Sequence, residues 1–239
     1  MSATVSSPAT LASCFERIAI INLPSRADRR REMRAELSRL GLALKPGHTE
    51  FFPAVRPAEI GDWPGIGARG CFLSHYTVLK DALARGQRSV LFIEDDCCFT
   101  PALIERQAEV AERLAGEDWD IAHLGHVQPL EPTESLLVPW DEPLMTTHLY
   151  AVNHTILKRL VEFLELVMSR PNGHPDGGPQ HYDGALCMFR AQNPDVRNFI
   201  AAPTLATQRS SRSDINGQWY DRMPVLRNAV NLLRKARRR

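Results

Sequence analysis

The sequence has little net charge, few cysteines and no long apolar stretch, and each of these absences excludes a class of protein. Its 29 basic and 28 acidic residues leave a formal net charge of +1, which argues against a dedicated nucleic-acid-binding protein. Its five cysteines form no C-x-x-C pair and no zinc-type spacing, so we expect reduced thiols in a cytoplasmic protein. No segment approaches the roughly 20 apolar residues that a membrane-spanning helix needs.

The two ends of the chain differ in composition from the middle. The first fourteen residues are rich in Ser, Thr, Ala and Pro and lack the basic start and apolar centre of a secretory leader. We therefore expect residues 1–15 to be a flexible arm and residues 16–217 to be one domain. Beyond Asp221 no acidic residue follows, and apolar residues recur at helical spacing, which predicts a basic amphipathic helix over 218–239. This helix either contacts the inner membrane face peripherally or docks on the domain.

Apolar runs alternate with helical stripes along the chain. This alternation predicts an α/β fold with a central, mostly parallel, twisted sheet and helices on both faces. Strands are expected at 17–23, near 51–55, and at 89–93, 120–125, 146–152 and 196–201. Helices are expected after an N-cap at Ser25, at 71–85, from Pro101 to about residue 115, at 154–169 and at 182–191. Residues 127–143 are rich in proline and are expected to be irregular.

Three consecutive carboxylates, Glu94, Asp95 and Asp96, follow the apolar run at 89–93. At the carboxyl end of a buried central strand such charge is costly unless a cation neutralises it. Oxygen ligands favour Mn²⁺ or Mg²⁺, which offsets charge developing on a diphosphate leaving group. In an extended strand Glu94 and Asp96 point the same way and Asp95 points to the opposite side. The alternative is a solvated acidic turn that caps the helix at Pro101.

A second alternative for the acidic motif is the receiver domain of a signalling system. Such domains also carry an apolar strand followed by Glu-Asp-Asp, but on their first strand, whereas about 90 residues precede the motif here. Asp141 has roughly the offset of a phosphoacceptor, yet it lies in a Pro-flanked loop with no apolar strand before it. No Lys-Pro follows at a later strand end. The receiver hypothesis is therefore disfavoured.

Three segments in order resemble glycosyltransferase family 25: INLPSRADRRREM at 21–33, RGCFLSHYTVLKDAL at 69–83 and VLFIEDD at 90–96. The family includes bacterial lipooligosaccharide galactosyltransferases and a collagen-modifying domain. The resemblance implies a GT-A-like nucleotide-sugar-binding fold and a divalent metal. It further implies inverting transfer of a hexose, galactose foremost, from a UDP-sugar to a glycan or lipid-linked glycan acceptor, as in bacterial surface-glycan synthesis. The alternative is a catalytically inactive scaffold that binds a nucleotide sugar or glycan with the same fold.

The first resembling segment supplies candidate donor-binding residues at the end of the first strand. Asn22 and Leu23 lie where polar groups can hold a uracil or a ribose. Arg26, Arg29 and Arg30 begin the following helix, where a cation opposes the helix dipole unless a diphosphate lies nearby. For each of these arginines the alternative is an ordinary solvated surface residue.

The second resembling segment adds further donor-binding candidates. Gly70 permits a close backbone approach, and Arg69, Ser74 and His75 supply a cation and two hydrogen-bonding groups. We expect His75 to contact the donor rather than to ligate the metal. Within the acidic motif, Asp95 is assigned to donor binding and catalysis as well as to the metal.

Inversion by direct displacement requires a general base, and a carboxylate is the usual choice. Asp183 follows a Gly/Pro-rich loop and precedes a helix, and the resemblance also places an aspartate there. It is assigned as the base, with a helix N-cap as the alternative. His181 is a candidate third metal ligand, and Arg209 or Arg212 is a candidate phosphate contact.

Overall fold

The apolar strand segments assemble into one nine-stranded sheet in the computed structural model, which describes residues 10–116 and 118–209. The strands are β1 (Arg17–Asn22), β2 (Thr49–Pro53), β3 (Ser89–Glu94), β4 (Cys97–Phe99), β5 (Ile121–Gly125), β6 (Leu137–Pro139), β7 (Leu149–Asn153), β8 (Asn198–Ala201) and β9 (Ala206–Gln208). The helices are α1 (Leu11–Cys14), α2 (Ala27–Arg39), α3 (Ile66–Ala84), α4 (Pro101–Leu114), α5 (His154–Ser169) and α6 (Tyr182–Gln192).

The sheet is mixed but mostly parallel. Its main path runs β2-β1-β3-β7-β5-β8-β6, and β9 pairs with both β5 and β4. The pairings give β1, β2, β3, β5, β8 and β9 one direction and β4, β6 and β7 the other. Because β7 runs antiparallel to β3, the residues that enter β7 lie beside the acidic end of β3. This is where the backbone amide of Glu94 donates to the carbonyl of His148 at 2.9 Å.

Helices cover both faces of the sheet, as the sequence predicted. All six residues of β1 are buried, since alternate side chains enter opposite cores. Ile18 and Ile20 belong to the core under α2 and α4, and Ala19 and Ile21 belong to the core under α3, α5 and α6. Complete burial of one such isoleucine stabilises the fold by about 1.5–3 kcal/mol. The predicted α/β class with helices on both faces is therefore confirmed.

Several element boundaries differ from the predictions. Ser25 does not cap α2, because Arg26 occupies the N-cap position and makes no side-chain capping bond. Helix α3 begins at Ile66 rather than near residue 71, since its glycines sit within the helix instead of preceding it. The short strands β4, β6 and β9 were not predicted, and β6 lies in the segment that was expected to be irregular. Strands of three residues carry too few alternating positions to show a pattern.

The beginning of the described chain packs on the domain. Leu11 and Phe15 are buried in the core near α4, and the Thr10 hydroxyl accepts a hydrogen bond from the amide of Ser13 to cap α1. Residues 10–15 of the predicted flexible arm are thus docked, because two large apolar side chains there bury their surface. The predicted helix over 218–239 lies outside the described residues. Within residues 10–209, none of the helices has both the length and the apolar character needed to traverse a bilayer.

Candidate active site

A cleft of about 680 Å³ opens at the sheet edge where β1 and β3 end. It receives residues from the turn after β1, the loop at 54–57, the first half of α3, the segment 145–147 before β7, and the start of α6. The sequence-predicted residues that line it are Leu23, Arg26, Arg29, Gly70, Ser74, His75, Glu94, Asp95, Asp96, His181 and Asp183. Asn22, Arg30 and Arg69 do not line it. The three resembling segments therefore converge on one cavity.

Asp95 is held between two side chains from the β1 end. The Arg29 guanidinium is 2.6 Å from Asp95 Oδ1 and 3.4 Å from Asp96 Oδ2, so one cation bridges both carboxylates. The Asn22 amide donates to Asp95 Oδ2 at 2.8 Å, and Asn22 Oδ1 accepts from Arg30 at 3.0 and 3.1 Å. Asn22 and Arg30 therefore support Asp95 from behind the cleft.

Glu94 lies on the other side of the acidic motif. Its Oε1 accepts from the Thr147 hydroxyl at 3.2 Å, and its Oε2 accepts from the Gln208 amide at 3.3 Å. Burial raises the pKa of Glu94, but the adjacent His75 imidazole, then His148 and the Thr147 hydroxyl, outweigh burial and hold the pKa below its usual range. Glu94 is therefore ionised.

All three carboxylates line the same cleft, so the expected alternation does not continue past Glu94. Strand β3 ends at Glu94, and Asp95 and Asp96 form a turn before β4, which releases them from extended geometry. A solvated acidic turn is also not observed, since Asp95 is only 7% exposed.

Asp96 lies in a buried environment with an excess of negative charge around it. Burial and the neighbouring charge of Glu94 raise its pKa to about 7, although the guanidinium of Arg29 acts in the opposite direction. Its Oδ1 atom is buried and has no hydrogen-bond partner among residues 10–116 and 118–209. A buried carboxylate oxygen without a donor, beside an ionised glutamate, has the chemistry that a divalent cation satisfies.

Gly70 and Ser74, from the second resembling segment, pack against the loop at 54–57. The Ser74 hydroxyl donates to the Gly70 carbonyl at 2.6 Å and accepts from the amide of Val55 at 2.8 Å. A Cβ atom at Gly70 would stand 2.8 Å from the Val55 carbonyl oxygen. The close approach predicted at Gly70 is therefore made to the loop at 54–57, and Gly70 and Ser74 fix that wall of the cleft. Arg69 donates to the Glu59 carbonyl at 2.8 Å, away from the cavity.

Asp183 lies in the first turn of α6, with its side chain at the cleft. It is not the N-cap, because that position belongs to His181, which makes no side-chain capping bond. Both residues line the cleft that also contains the acidic motif.

Arg209 contacts α2 rather than the cleft. Its guanidinium is 2.8 Å from Glu32 and 3.3 Å from Glu36, and its backbone amide donates to the Asp96 carbonyl at 2.8 Å. Arg209 does not line the cleft, and the phosphate contact predicted for it stays a prediction. Arg212 lies outside the described residues.

The polar cleft residues that were not predicted from the sequence include Arg56, Thr147 and Gln208. Arg56 follows β2, and the other two come from the segments that enter β7 and form β9. None of the three was assigned a role from the sequence, and the antiparallel placement of β7 is what brings Thr147 to Glu94. Arg56 is exposed and adds a cation to the wall beside Arg26 and Arg29.

Comparison with known proteins bears on the family resemblance. No protein-family model matches the chain. It is 34% identical over 145 residues to a glycosyltransferase 25 family member of Aedes aegypti and 28% identical over 228 residues to procollagen galactosyltransferase 2 of Mus musculus. It is also 29% identical over 132 residues to the inactive glycosyltransferase 25 family member 3 of Homo sapiens.

These alignments cover 51%, 80% and 48% of this chain, but only 23%, 35% and 22% of the respective relatives. The sequence resemblance to glycosyltransferase family 25 is thus confirmed. It extends over a minor part of each relative's length.

Proposed function

We propose that this chain is an inverting glycosyltransferase that moves a hexose, galactose foremost, from a UDP-sugar to an acceptor hydroxyl with the help of a divalent cation. The observation that carries the proposal is the buried Oδ1 atom of Asp96, which has no hydrogen-bond partner among the described residues and lies beside Glu94 in a cleft that also contains arginines. Similarity to proteins named glycosyltransferases supports the same reaction class. We further propose that the fold binds its donor in the GT-A manner.

Glu94, Asp95 and Asp96 would hold Mn²⁺ or Mg²⁺. When bound there, the cation supplies charge that stabilises the departing diphosphate. Asp95 is already oriented by Arg29 and Asn22, which leaves Asp96 Oδ1 as the carboxylate oxygen in greatest need of a cation. The residues present therefore fit a hard divalent ion.

The donor would enter along the cationic wall of the cleft. Leu23 and the turn that follows β1 offer an apolar surface and backbone groups to the nucleoside. Arg26 and Arg56 line the same wall, where guanidinium groups can pair with phosphate oxygens, while Arg29 stays paired with Asp95 and Asp96. The diphosphate would then lie between these arginines and the acidic motif.

Asp183 would act as the general base. As the acceptor oxygen attacks the anomeric carbon, its proton passes to the Asp183 carboxylate. The bond from that carbon to the diphosphate oxygen breaks, and the electron pair leaves with UDP. One displacement of this kind inverts the configuration at the anomeric carbon.

We propose a glycan or lipid-linked glycan as the acceptor, as in the synthesis of a bacterial lipooligosaccharide or surface polysaccharide. A cytoplasmic enzyme that touches the inner membrane face through its basic tail would suit such an acceptor.

The test is release of UDP from a panel of UDP-sugars in the presence of Mn²⁺. Asp96→Asn should lower turnover by at least about 100-fold, the scale of losing one electrostatic contact to the transition state. Asp195→Asn is the matched control, because that exposed aspartate pairs with Arg159 away from the cleft and should leave turnover unchanged. Near-normal turnover in Asp96→Asn would contradict the assignment of the acidic motif.

A second candidate function is a catalytically inactive scaffold that binds a nucleotide sugar or glycan. The specific observation in its favour is that one relative carries the name of an inactive family member. Isothermal titration calorimetry with UDP-galactose and Mn²⁺ separates the two. Binding without any UDP release or sugar transfer favours the scaffold, whereas turnover that depends on Asp96 favours the enzyme.

A further inference from the structure

Three residues with metal-binding side chains meet on the floor of the cleft. The Cys71 thiol, the His75 imidazole and the Glu94 carboxylate each place a potential ligand atom within 4.8 Å of the other two. Cys71 and His75 are four residues apart on α3, which puts them on one face of the helix. Glu94 reaches the same point from the end of β3. Two side chains from one helix and one carboxylate from a strand end thus lie close together.

The imidazole of His75 is oriented by a hydrogen-bond chain behind it. The Tyr150 hydroxyl donates to the Tyr182 oxygen at 2.9 Å, so the 2.9 Å contact between His75 Nδ1 and Tyr150 is one in which Nδ1–H donates. The ring also stacks on Tyr182, with centroids 4.3 Å apart and planes 12° apart. These contacts direct Nε2 toward Glu94.

The Nε2 atom of His75 is buried and has no hydrogen-bond partner among the described residues. It lies 3.7 Å from Glu94 Oε1, and His75 is only 1% exposed. A buried ring nitrogen that lies beside a carboxylate oxygen without a hydrogen-bond partner is unfavourable unless a proton or a metal ion lies between the two atoms. A proton on Nε2 would create an imidazolium–carboxylate pair between His75 and Glu94, and the nearby Cys71 thiol would take no part in it. A metal ion would use all three groups.

The type of ion follows from the ligands. Sulfur and imidazole nitrogen select Zn²⁺ and similar transition metals over Mg²⁺, which prefers oxygen. Zinc bonds of about 2.0 Å to nitrogen and to oxygen separate two tetrahedral ligand atoms by about 3.3 Å, and a nitrogen–sulfur pair by about 3.5 Å. The distance between His75 Nε2 and Glu94 Oε1 is close to these values, and small side-chain rotations bring Cys71 into range. Three protein ligands leave a fourth position open to the cleft.

We propose that Cys71, His75 and Glu94 form a site for a zinc-class transition-metal ion. The site differs from the all-oxygen motif at Asp95 and Asp96, although it shares Glu94 with it. The side chain of Tyr150 is a positioning group, because its hydroxyl holds the Nδ1 proton of His75 and so presents Nε2 as the ligand. Binding displaces the thiol proton of Cys71.

The test uses the full chain, reduced and stripped of metal, with no nucleotide sugar present. Co²⁺ is added as a spectroscopic substitute for Zn²⁺, and the near-ultraviolet thiolate-to-cobalt band is recorded. We expect one equivalent of Co²⁺ to produce this band and Zn²⁺ to bleach it by displacement. Mg²⁺ in large excess should not bleach it.

Variants assign the band to particular residues. Cys71→Ser should abolish it, and Cys187→Ser, which removes a thiol near Leu144 instead, should retain it. Tyr150→Phe should weaken Zn²⁺ binding by about 10–100-fold while circular dichroism shows an unchanged fold. Asp96→Asn should leave the band in place.

Two results would overturn the proposal. One is the absence of a thiolate band in the native chain, which would mean that a proton rather than a metal joins His75 to Glu94. The other is a band that survives Cys71→Ser, which would place the ion at another thiol. Neither result depends on sugar transfer, so a failed transferase assay leaves the metal test standing, and the reverse also holds.

Discussion

A substitution of Arg29 tests most directly whether a cation is needed to offset the negative charge of the acidic motif. The guanidinium of Arg29 contacts both Asp95 and Asp96, and its side chain is 11% exposed. Arg29→Gln would leave three clustered carboxylates without their principal cation. Removal of one partner from a buried ion pair costs about 3–5 kcal/mol. We therefore expect the free energy of unfolding at neutral pH to fall by roughly that amount.

Urea unfolding followed by circular dichroism measures this loss. With an m-value of about 2.5 kcal/mol per molar urea, the midpoint should move down by about 1–2 M. Arg106→Gln is the control, because its partner Glu109 is mostly exposed and the pair lies on the surface of α4, so the midpoint should scarcely move. Mn²⁺ should restore part of the lost stability in Arg29→Gln, since a cation bound to the native state replaces the guanidinium.

A midpoint for Arg29→Gln equal to that of the native chain would refute the argument, because it would mean that the motif tolerates its charge without help. A clear loss of stability that Mn²⁺ does not reduce would keep the role of Arg29 but contradict the cation site.

Two further predictions concern the core and the cleft wall. Burial lowers the pKa of His123 to about 3, below that of the unfolded chain, so stability should be full above about pH 6.5 and fall steadily toward pH 3. His123→Leu should flatten this dependence in acid-unfolding curves; an unchanged slope would contradict it. Gly70→Ala places a Cβ 2.8 Å from the Val55 carbonyl and should cost about 1–3 kcal/mol and weaken UDP-sugar binding in calorimetry. Gly86→Ala is the control, because Gly86 has a positive φ but open space around an added Cβ. It should lower stability and leave UDP-sugar binding unchanged.

The central elements were predictable because their patterns are long and strongly apolar. β1 and β3 are runs of isoleucine, leucine, valine and phenylalanine, and α5 shows an amphipathic stripe from His154 to Ser169. The convergence of Leu23, His75 and Asp96 on one cleft also agrees with the expectation that ligands bind beyond strand ends. Short strands such as β9 were missed because a three-residue segment has no periodicity to read.

Side-chain partnerships could not be read from the sequence. Arg29 and Arg209 are both arginines, and both were predicted to contact phosphate. In the structure Arg29 contacts the acidic motif, whereas Arg209 contacts Glu32 and Glu36. The choice depends on which carboxylate lies within reach after the sheet has formed. Asn22 likewise was expected to face the donor but points to Asp95.

The sequence by itself determined the α/β class, the buried central strands and the accumulation of carboxylates at the end of β3, since these follow from local hydrophobicity and from residue order. Only the tertiary structure decided that β7 runs antiparallel beside β3 and that the side chains of Glu94, Asp95 and Asp96 line one cavity. It also decided that Cys71 and His75 lie beside Glu94. These are contacts between residues distant in the chain. Their geometry depends on how the helices and strands pack, which no local pattern encodes.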